Sequence, residues 1–268
     1  MLAESAIVGL GLSKLGRYFR RHAGLLARDA LLEAAADAGT SLGKIDGLLL
    51  NLSPLAAAAV RAKVGHGLQP ALGLGDLKRL SIVDSQGATV GQMLGVAGAW
   101  LQHEGLEAVA LVFADTPITM TRRSSKAYGG NSQSLTGIPG LDEVYGLFGG
   151  PSAYALLASR YMHDTGVTEE DFANVAITNR TWAAGNPLAF MRSPITMVDY
   201  FKCRYVVAPL RLFDCALPVN GGVAVILMHP DRAADSAPKP VYVLGRGQCH
   251  RAISWRRGRE FGGQGGAA

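Results

Sequence analysis

The stretch from Ser81 to Ala114 constrains the fold more than any other part of the chain. Ser81-Ile-Val-Asp84 has the composition of a buried strand, and a helix over Gly87 to Glu104 follows it almost at once. Ala108 to Ala114 is then an unbroken apolar run, the pattern of a strand covered on both faces of a parallel sheet. Strand, tight elbow, helix and strand in that order predict a parallel βαβ unit with a right-handed crossover. The helix carries Gly91, Gly95 and Gly98, so one of its faces is nearly bare. Each glycine costs a helix about 1 kcal/mol relative to alanine, which close packing has to offset. The expectation is a central, buried helix, packed against its own counterpart in a dimer.

The rest of the chain continues the alternation, so the fold class is α/β. Ala6 to Leu10 is a short strand ahead of a glycine-containing loop. From His22 to Ala38, Leu25, Leu26, Ala30, Leu31, Ala34 and Ala35 recur at helical spacing, and Gly39 supplies the stop. Ile45 to Leu50 is a second strand, and Ser53-Pro54 opens a helical run through Lys63. Residues 116–150 lose all periodicity and are rich in Ser, Thr, Asn and Gly, as expected of a long excursion that serves as a lid, a binding loop or a partner surface. Helices are expected over Pro151–His163, over Thr168–Ala184 with a Thr168/Asp171 capping pattern, and over Thr196–Arg204. Gly221-Gly222 precedes a buried strand, Val223–Met228, and Pro238 and Pro240 mark a connector to a last strand, Val241–Leu244.

With 49% hydrophobic residues among 268, the chain has ample material for a core. No apolar run approaches the roughly 20 residues that span a bilayer. The N-terminus begins with a strand pattern instead of a basic segment and an apolar signal core, so a cytoplasmic chain without a membrane span is expected. Cys203, Cys215 and Cys249 are odd in number and lack CxxC spacing, which argues against a disulfide framework and against a zinc site; no metal is expected. The net charge of +5 owes much to Arg246, Arg251, Arg256, Arg257 and Arg259. Without aromatic interleaving or a nucleic-acid motif it points away from nucleic acid and toward a phosphorylated small molecule.

The elbow raises the question of a nucleophile. Val83-Asp84-Ser85-Gln86-Gly87 lacks the first glycine of a hydrolase elbow, and no His or Asp partner is spaced for Ser85. Ser85 and Thr89 are instead expected to satisfy backbone groups at the strand end and helix start. Cys203 and Cys215 lie among Phe201, Tyr205, Phe213 and Ala216 and are read as small hydrophobes. Cys249 and His250 are adjacent on an extended segment and so point to opposite sides.

Three groups of residues carry a resemblance. They are Gly87-Ala-Thr-Val-Gly91 before a helix with Glu107-Ala-Val-Ala-Leu-Val112 after it; Asn186-Pro-Leu-Ala-Phe-Met-Arg-Ser-Pro-Ile-Thr-Met-Val-Asp-Tyr200; and Ala208-Pro-Leu-Arg-Leu-Phe-Asp-Cys-Ala-Leu-Pro-Val-Asn-Gly-Gly-Val-Ala-Val225. In this order they resemble the thiolase superfamily, in its sterol-carrier and lipid-transfer type, and the likeness runs from Ala6-Ile-Val-Gly-Leu-Gly11 to Gly245-Arg-Gly-Gln248.

The resemblance implies a layered fold of two similar halves, each a mixed sheet flanked by helices, that acts on acyl-coenzyme A and dimerises. Residues 1–240 correspond to the N-terminal half with its excursion at 116–150, and residues 241–268 to the first strand of a C-terminal half that is otherwise missing, followed by a disordered tail. In thiolases the nucleophilic cysteine stands at the elbow, and Gly87 falls on that place, so the chain is not a cysteine-dependent thiolase. Relatives that act as retro-aldolases on steroid side-chain CoA thioesters have a glycine-rich elbow of this kind and work with a small partner carrying an OB-fold and a zinc ribbon.

The implied function is carbon–carbon bond cleavage of an acyl-CoA, retro-aldol or thiolytic, in lipid or steroid catabolism; the competing expectation is a noncatalytic scaffold subunit paired with a complete thiolase-like chain. The candidate catalytic residues are Gly87, Ser85 and Thr89, with Gly87 offering either room for a thioester beside helix amides or plain turn geometry. Arg122, Arg123 and Lys126 are candidates for the CoA phosphates, with a solvated loop face as the alternative. CoA enters as substrate; no covalently bound cofactor is implied.

Overall fold

The computed structural model describes residues 4–17, 21–52, 68–118, 120, 144–147, 149–236 and 239–248. Within them the strands are β1 (Ser5–Leu12), β2 (Gly47–Leu52), β3 (Arg79–Ile82), β4 (Ala108–Asp115), β5 (Tyr205–Val207), β6 (Leu210–Arg211), β7 (Gly221–Met228) and β8 (Val241–Val243). The helices are α1 (Ala23–Asp37), α2 (Leu68–Leu72), α3 (Thr89–His103), α4 (Gly149–Thr165), α5 (Glu169–Gly185), α6 (Met197–Lys202) and α7 (Pro230–Ser236). The chain divides into two compact units, Met1–Thr121 with Val219–Cys249, and Arg122–Pro218 with His250–Ala268. The helical run expected at Ser53–Lys63, most of the excursion, and Cys249-His250 lie outside the described residues.

The first unit is built on a six-stranded mixed sheet in the order β3-β2-β4-β7-β1-β8. β3, β2 and β4 are parallel, and β7 and β8 run antiparallel to their neighbours. β3 and β4 are therefore parallel as the sequence predicts, but β2 lies between them, so the α3 crossover skips one strand. The strand expected from Val241 forms over Val241–Val243 and lies beside β1 at the margin of the sheet.

Alternation along the strands divides the core. Leu48, Leu50, Ala108, Ala110, Val112, Ala224 and Ile226 face α1, while Leu49, Val109, Leu111 and Leu227 face Met93, Ala97, Trp100 and Leu101 of α3. Both faces are covered, which is why these strands read as continuous apolar runs instead of alternating ones.

The approach of α1 to the sheet is very close and depends on missing side chains. A Cβ on Gly11 would lie 1.9 Å from the Ala30 carbonyl oxygen, and one on Gly9 2.2 Å from that of Ala34. A register shift between Ile7 and Gly9 turns both glycines toward α1 and leaves Leu10 on the opposite face. Two of the α3 glycines have neighbours from elsewhere in the chain. Gly95 packs under the guanidinium of Arg246 and Gly98 near Glu4, and Arg246 Nε donates to Glu4 Oε2 at 2.9 Å. This pair lies over Gly95 and Gly98, while Gly91 has open space beside it.

The second unit has a small apolar centre of Ala173, Ala176 and Tyr200 with Phe172, Ile195, Met197 and Phe213 around it. Polar bonds supply much of its definition. Thr168 N–H donates to Asp171 Oδ2 at 2.9 Å and Thr196 N–H to Asp199 Oδ2 at 2.8 Å, fixing the starts of α5 and α6. Arg211 Nε donates to Glu169 Oε2 (2.8 Å), its NH2 nitrogen to the Tyr205 hydroxyl (2.7 Å), and its NH1 nitrogen to the carbonyls of Phe201 and Cys203 (3.0 Å each). The fully buried Tyr200 donates its hydroxyl to Asp214 Oδ2 at 2.8 Å.

Candidate functional site

The elbow is anchored at its root by two bonds. Val83 N–H donates to the Leu50 carbonyl and Asn51 Nδ2 donates to the Val83 carbonyl, both at 2.9 Å, so the end of β2 holds the point where the chain leaves β3. The chain then turns through Asp84 and Ser85 into a single 3₁₀ turn, Gln86–Ala88, before α3 begins. Ser85 N–H donates to Thr89 Oγ1 at 2.8 Å, and Ala88 N–H to the Ser85 carbonyl at 3.1 Å. The Thr89 side chain thus satisfies a backbone group at the strand end as expected, whereas among the described residues no side chain caps the helix start. Ser85 Oγ also donates to Gln92 Oε1.

Gly87 sits exposed on the 3₁₀ turn, and a Cβ built on it meets nothing within 4 Å. Gly91, one turn further on, is equally open. The helix N-cap is Ala88, which offers no side-chain acceptor, and the first amides of any helix lack intrahelical partners. The elbow therefore combines space, backbone donors and one carboxamide. Sequence reasoning did not single out Gln92 or Asn51. Gln92 was accessible to it, because it lies three residues after Thr89 and seven after Ser85, on one helical face.

An apolar row continues from the elbow's root. Asn51, Phe113, Val223 and Leu12 stand opposite one another across β2, β4, β7 and β1. They share the face on which Leu49, Leu111 and Val225 meet α3. Phe113 nevertheless remains 39% exposed, and Leu10 on the same side 59%. Exposed large apolar groups clustered next to polar donors are the usual composition of a small-molecule site.

Arg122, Arg123 and Lys126 lie outside the described residues. Among the described residues no group of three or more His, Cys, Asp or Glu is placed to hold a metal. Burial, followed by the charge of Asp214, pushes the Cys215 thiol above its ordinary range, which disfavours the thiolate and fits the small-hydrophobe reading.

No family model matches the chain. The 17-hydroxy-3-oxo-4-pregnene-20-carboxyl-CoA lyase of Mycobacterium tuberculosis is 32% identical over 251 residues, covering 90% of this chain and 61% of the lyase. The steroid side-chain-cleaving aldolase of Thermomonospora curvata is 31% identical over 255 residues, covering 91% of this chain and 61% of the aldolase. Among solved structures, the Ltp2-ChsH2(DUF35) aldolase superposes with a TM-score of 0.76 at 29% identity, over 90% of this chain and 60% of that one. The chain spans about three fifths of the length of these relatives. Its sequence relatives and structural neighbours also include a benzoylsuccinyl-CoA thiolase subunit and an SCP2-thiolase-like protein of Mycobacterium smegmatis, and the chain shares the thiolase-like fold. The acetyl-CoA acetyltransferase of Bacillus anthracis, at 15% identity and a TM-score of 0.66, shares the fold.

No helix among the described residues is long and apolar enough to cross a membrane.

Proposed function

We propose that this chain is the elbow-bearing part of a carbon–carbon lyase that acts on acyl-CoA in steroid or lipid catabolism, by a retro-aldol route and together with a partner. The observation that carries the reading is Gly87, exposed at the elbow with open space where a sulfur nucleophile would stand. A thiolytic route through an elbow cysteine has no thiol at this point. The likeness to a CoA lyase and a side-chain-cleaving aldolase supports the same class of reaction.

In that reaction the β-hydroxyl of the acyl chain loses its proton to a base and its O–H bonding pair forms the new C=O. The Cα–Cβ bond breaks, and its electron pair passes into the thioester as an enolate. The enolate takes a proton at Cα, and a ketone and a shortened acyl-CoA leave. Hydrogen-bond donors at the elbow stabilise the charge that develops on the thioester oxygen. The row of Phe113, Val223 and Leu12 gives the apolar acyl portion a surface to lie on. The base comes from outside the elbow.

In this reading Gly87, Ser85 and Thr89 form the acyl end of the site, while Arg122, Arg123 and Lys126 meet the CoA phosphates as guanidinium and ammonium donors. Residues 1–240 are the N-terminal thiolase-like half, and the strand at Val241–Val243 corresponds to the first strand of the other half. The working assembly is a cytoplasmic dimer with a small OB-fold and zinc-ribbon partner; the Ltp2-ChsH2(DUF35) aldolase supports the presence of a partner.

The test is to incubate the chain with a 17-hydroxy steroid side-chain CoA thioester, alone and with a small zinc-ribbon partner, and follow ketone and shortened acyl-CoA by mass spectrometry. Ketone release in either arm is the expected result. Thioester binding without release in both arms sinks the lyase and leaves a scaffold subunit.

A further inference from the structure

We propose that Gln92 is an additional substrate-contacting residue, its Nε2 donating to the thioester oxygen of an acyl-CoA seated beside Gly87, and that Ser85 is the residue that positions it. The proposal rests on the acyl-CoA reading above and adds a specific donor to it.

The argument begins with the two ends of a carboxamide, one an acceptor and the other a double donor. Ser85 Oγ donates to Gln92 Oε1 and so occupies the acceptor end. This fixes the rotation of the amide and turns its nitrogen away from the serine. Among the described residues nothing accepts from Gln92 Nε2, although the side chain is half-buried. The serine and the glutamine come from opposite sides of the turn, two residues before Gly87 and five after it, so their bond closes across the elbow. Ser85 is itself held by its N–H bond to the buried Thr89. On this stretch the two residues without a Cβ, Gly87 and Gly91, have open space around them. A fixed donor thus stands beside a site with room for a planar thioester.

A donor oriented before the substrate arrives needs no reorganisation when charge develops, which is how side-chain amides serve oxyanion sites. Here the charge is that of the thioester enolate left by cleavage. Ser85 is retained in this scheme without being a nucleophile, its hydroxyl hydrogen being committed to Gln92. Thr89 has a supporting role, accepting from the Ser85 amide.

The experiment uses the 268-residue chain and octanoyl-CoA carrying ¹³C at the thioester carbonyl, a probe without a β-hydroxyl and therefore unreactive in the lyase step. Hydrogen bonding to a carbonyl moves its ¹³C resonance downfield. The wild type is expected to bind the probe with such a displacement. Gln92→Leu is expected to bind it with the resonance near that of free octanoyl-CoA. Gln92→Asn, a shorter amide that preserves polarity should Gln92→Leu misfold, is expected to lose most of the displacement. Ser85→Ala is expected to broaden and reduce the displacement, and Ser85→Thr to restore it, which a merely structural serine would not produce. In the lyase assay, loss of this donor is expected to lower turnover about 10²-fold, the usual effect of removing one such group. A full displacement retained in folded Gln92→Leu or Gln92→Asn overturns the assignment and leaves the acyl-CoA reading standing. Failure of the wild type to bind the probe overturns both.

Discussion

The two units of this chain reach definition by different physics. In the first, apolar residues cover both faces of the sheet, and glycine and alanine let α1 approach to backbone contact at Gly9 and Gly11. In the second, three buried residues form the centre, and a network around Arg211, Glu169, Tyr205, Tyr200 and Asp214 fixes the helices and the β5–β6 hairpin. Buried apolar area stabilises by about 25 cal/mol per Å² and is insensitive to pH, whereas a hydrogen-bonded ionic network specifies geometry at the expense of dependence on protonation. The first unit is therefore expected to fail through steric change and the second through chemistry.

The largest effect expected is that of Gly11→Val. Its Cβ would have to occupy the position of the Ala30 carbonyl, so a loss of about 3 kcal/mol or more is expected, read as a lower urea midpoint of the sheet signal or as insoluble chain. Wild-type stability in this variant would mean that α1 does not seat where described. Next, Arg211→Met is expected to loosen the second unit selectively, with faster amide exchange at Ala173 and Ala176 and none at Leu48–Leu50. Equal loosening of both units would break the contrast.

A smaller loss, about 1–2 kcal/mol, is expected for Tyr200→Phe, which strips Asp214 of one buried hydrogen-bond donor. Acid provides a reversible version of the same experiment. Burial raises the Glu169 carboxyl, but the bonds from Tyr205 and Arg211 outweigh it and hold it below its ordinary range; Thr196 does the same for Asp199. A lowered folded-state pKa contributes stability that is present above the unfolded value and lost as pH falls through the folded one. Exchange in the second unit should therefore accelerate first as pH drops below the ordinary carboxylate range. Simultaneous acceleration in both units would show that the network is not the acid-sensitive element. The smallest effect belongs to Gly87→Ala: with open space around the Cβ, stability is expected to change by less than about 1 kcal/mol, as a thermal melt would record.

The same contrast explains what the sequence allowed to be foreseen. Strands β2, β4 and β7 and helix α1 were visible because burial on both faces, or on one helical stripe, imposes a period on residue type. α5 was visible with its Thr168–Asp171 start, since capping is local chemistry. The β5–β6 hairpin was not, because its strands are too short to show a period, and α7 was hidden in a segment that its following prolines marked as a connector. Of the α3 glycines only Gly95 is closely packed, and its neighbour, Arg246 paired with Glu4, is distant in sequence and leaves no local trace. At the site, Gly87, Ser85 and Thr89 were apparent from the elbow itself, whereas the pairing of Ser85 with Gln92 required knowing where a side chain turns.

The outer margin of β1 has one further implication. β8 pairs with Ser5–Ile7 only, and beyond it the Leu10 and Leu12 amides are taken by the carboxylates of Asp37 and Glu33, at 2.9 and 2.8 Å. An incoming strand would have to evict both acids before it found a free donor there, so uncontrolled edge-on growth is blocked along that border by two negative charges. Replacing them with residues that cannot reach those amides would remove this guard, making that border the place where clumping of the chain should begin.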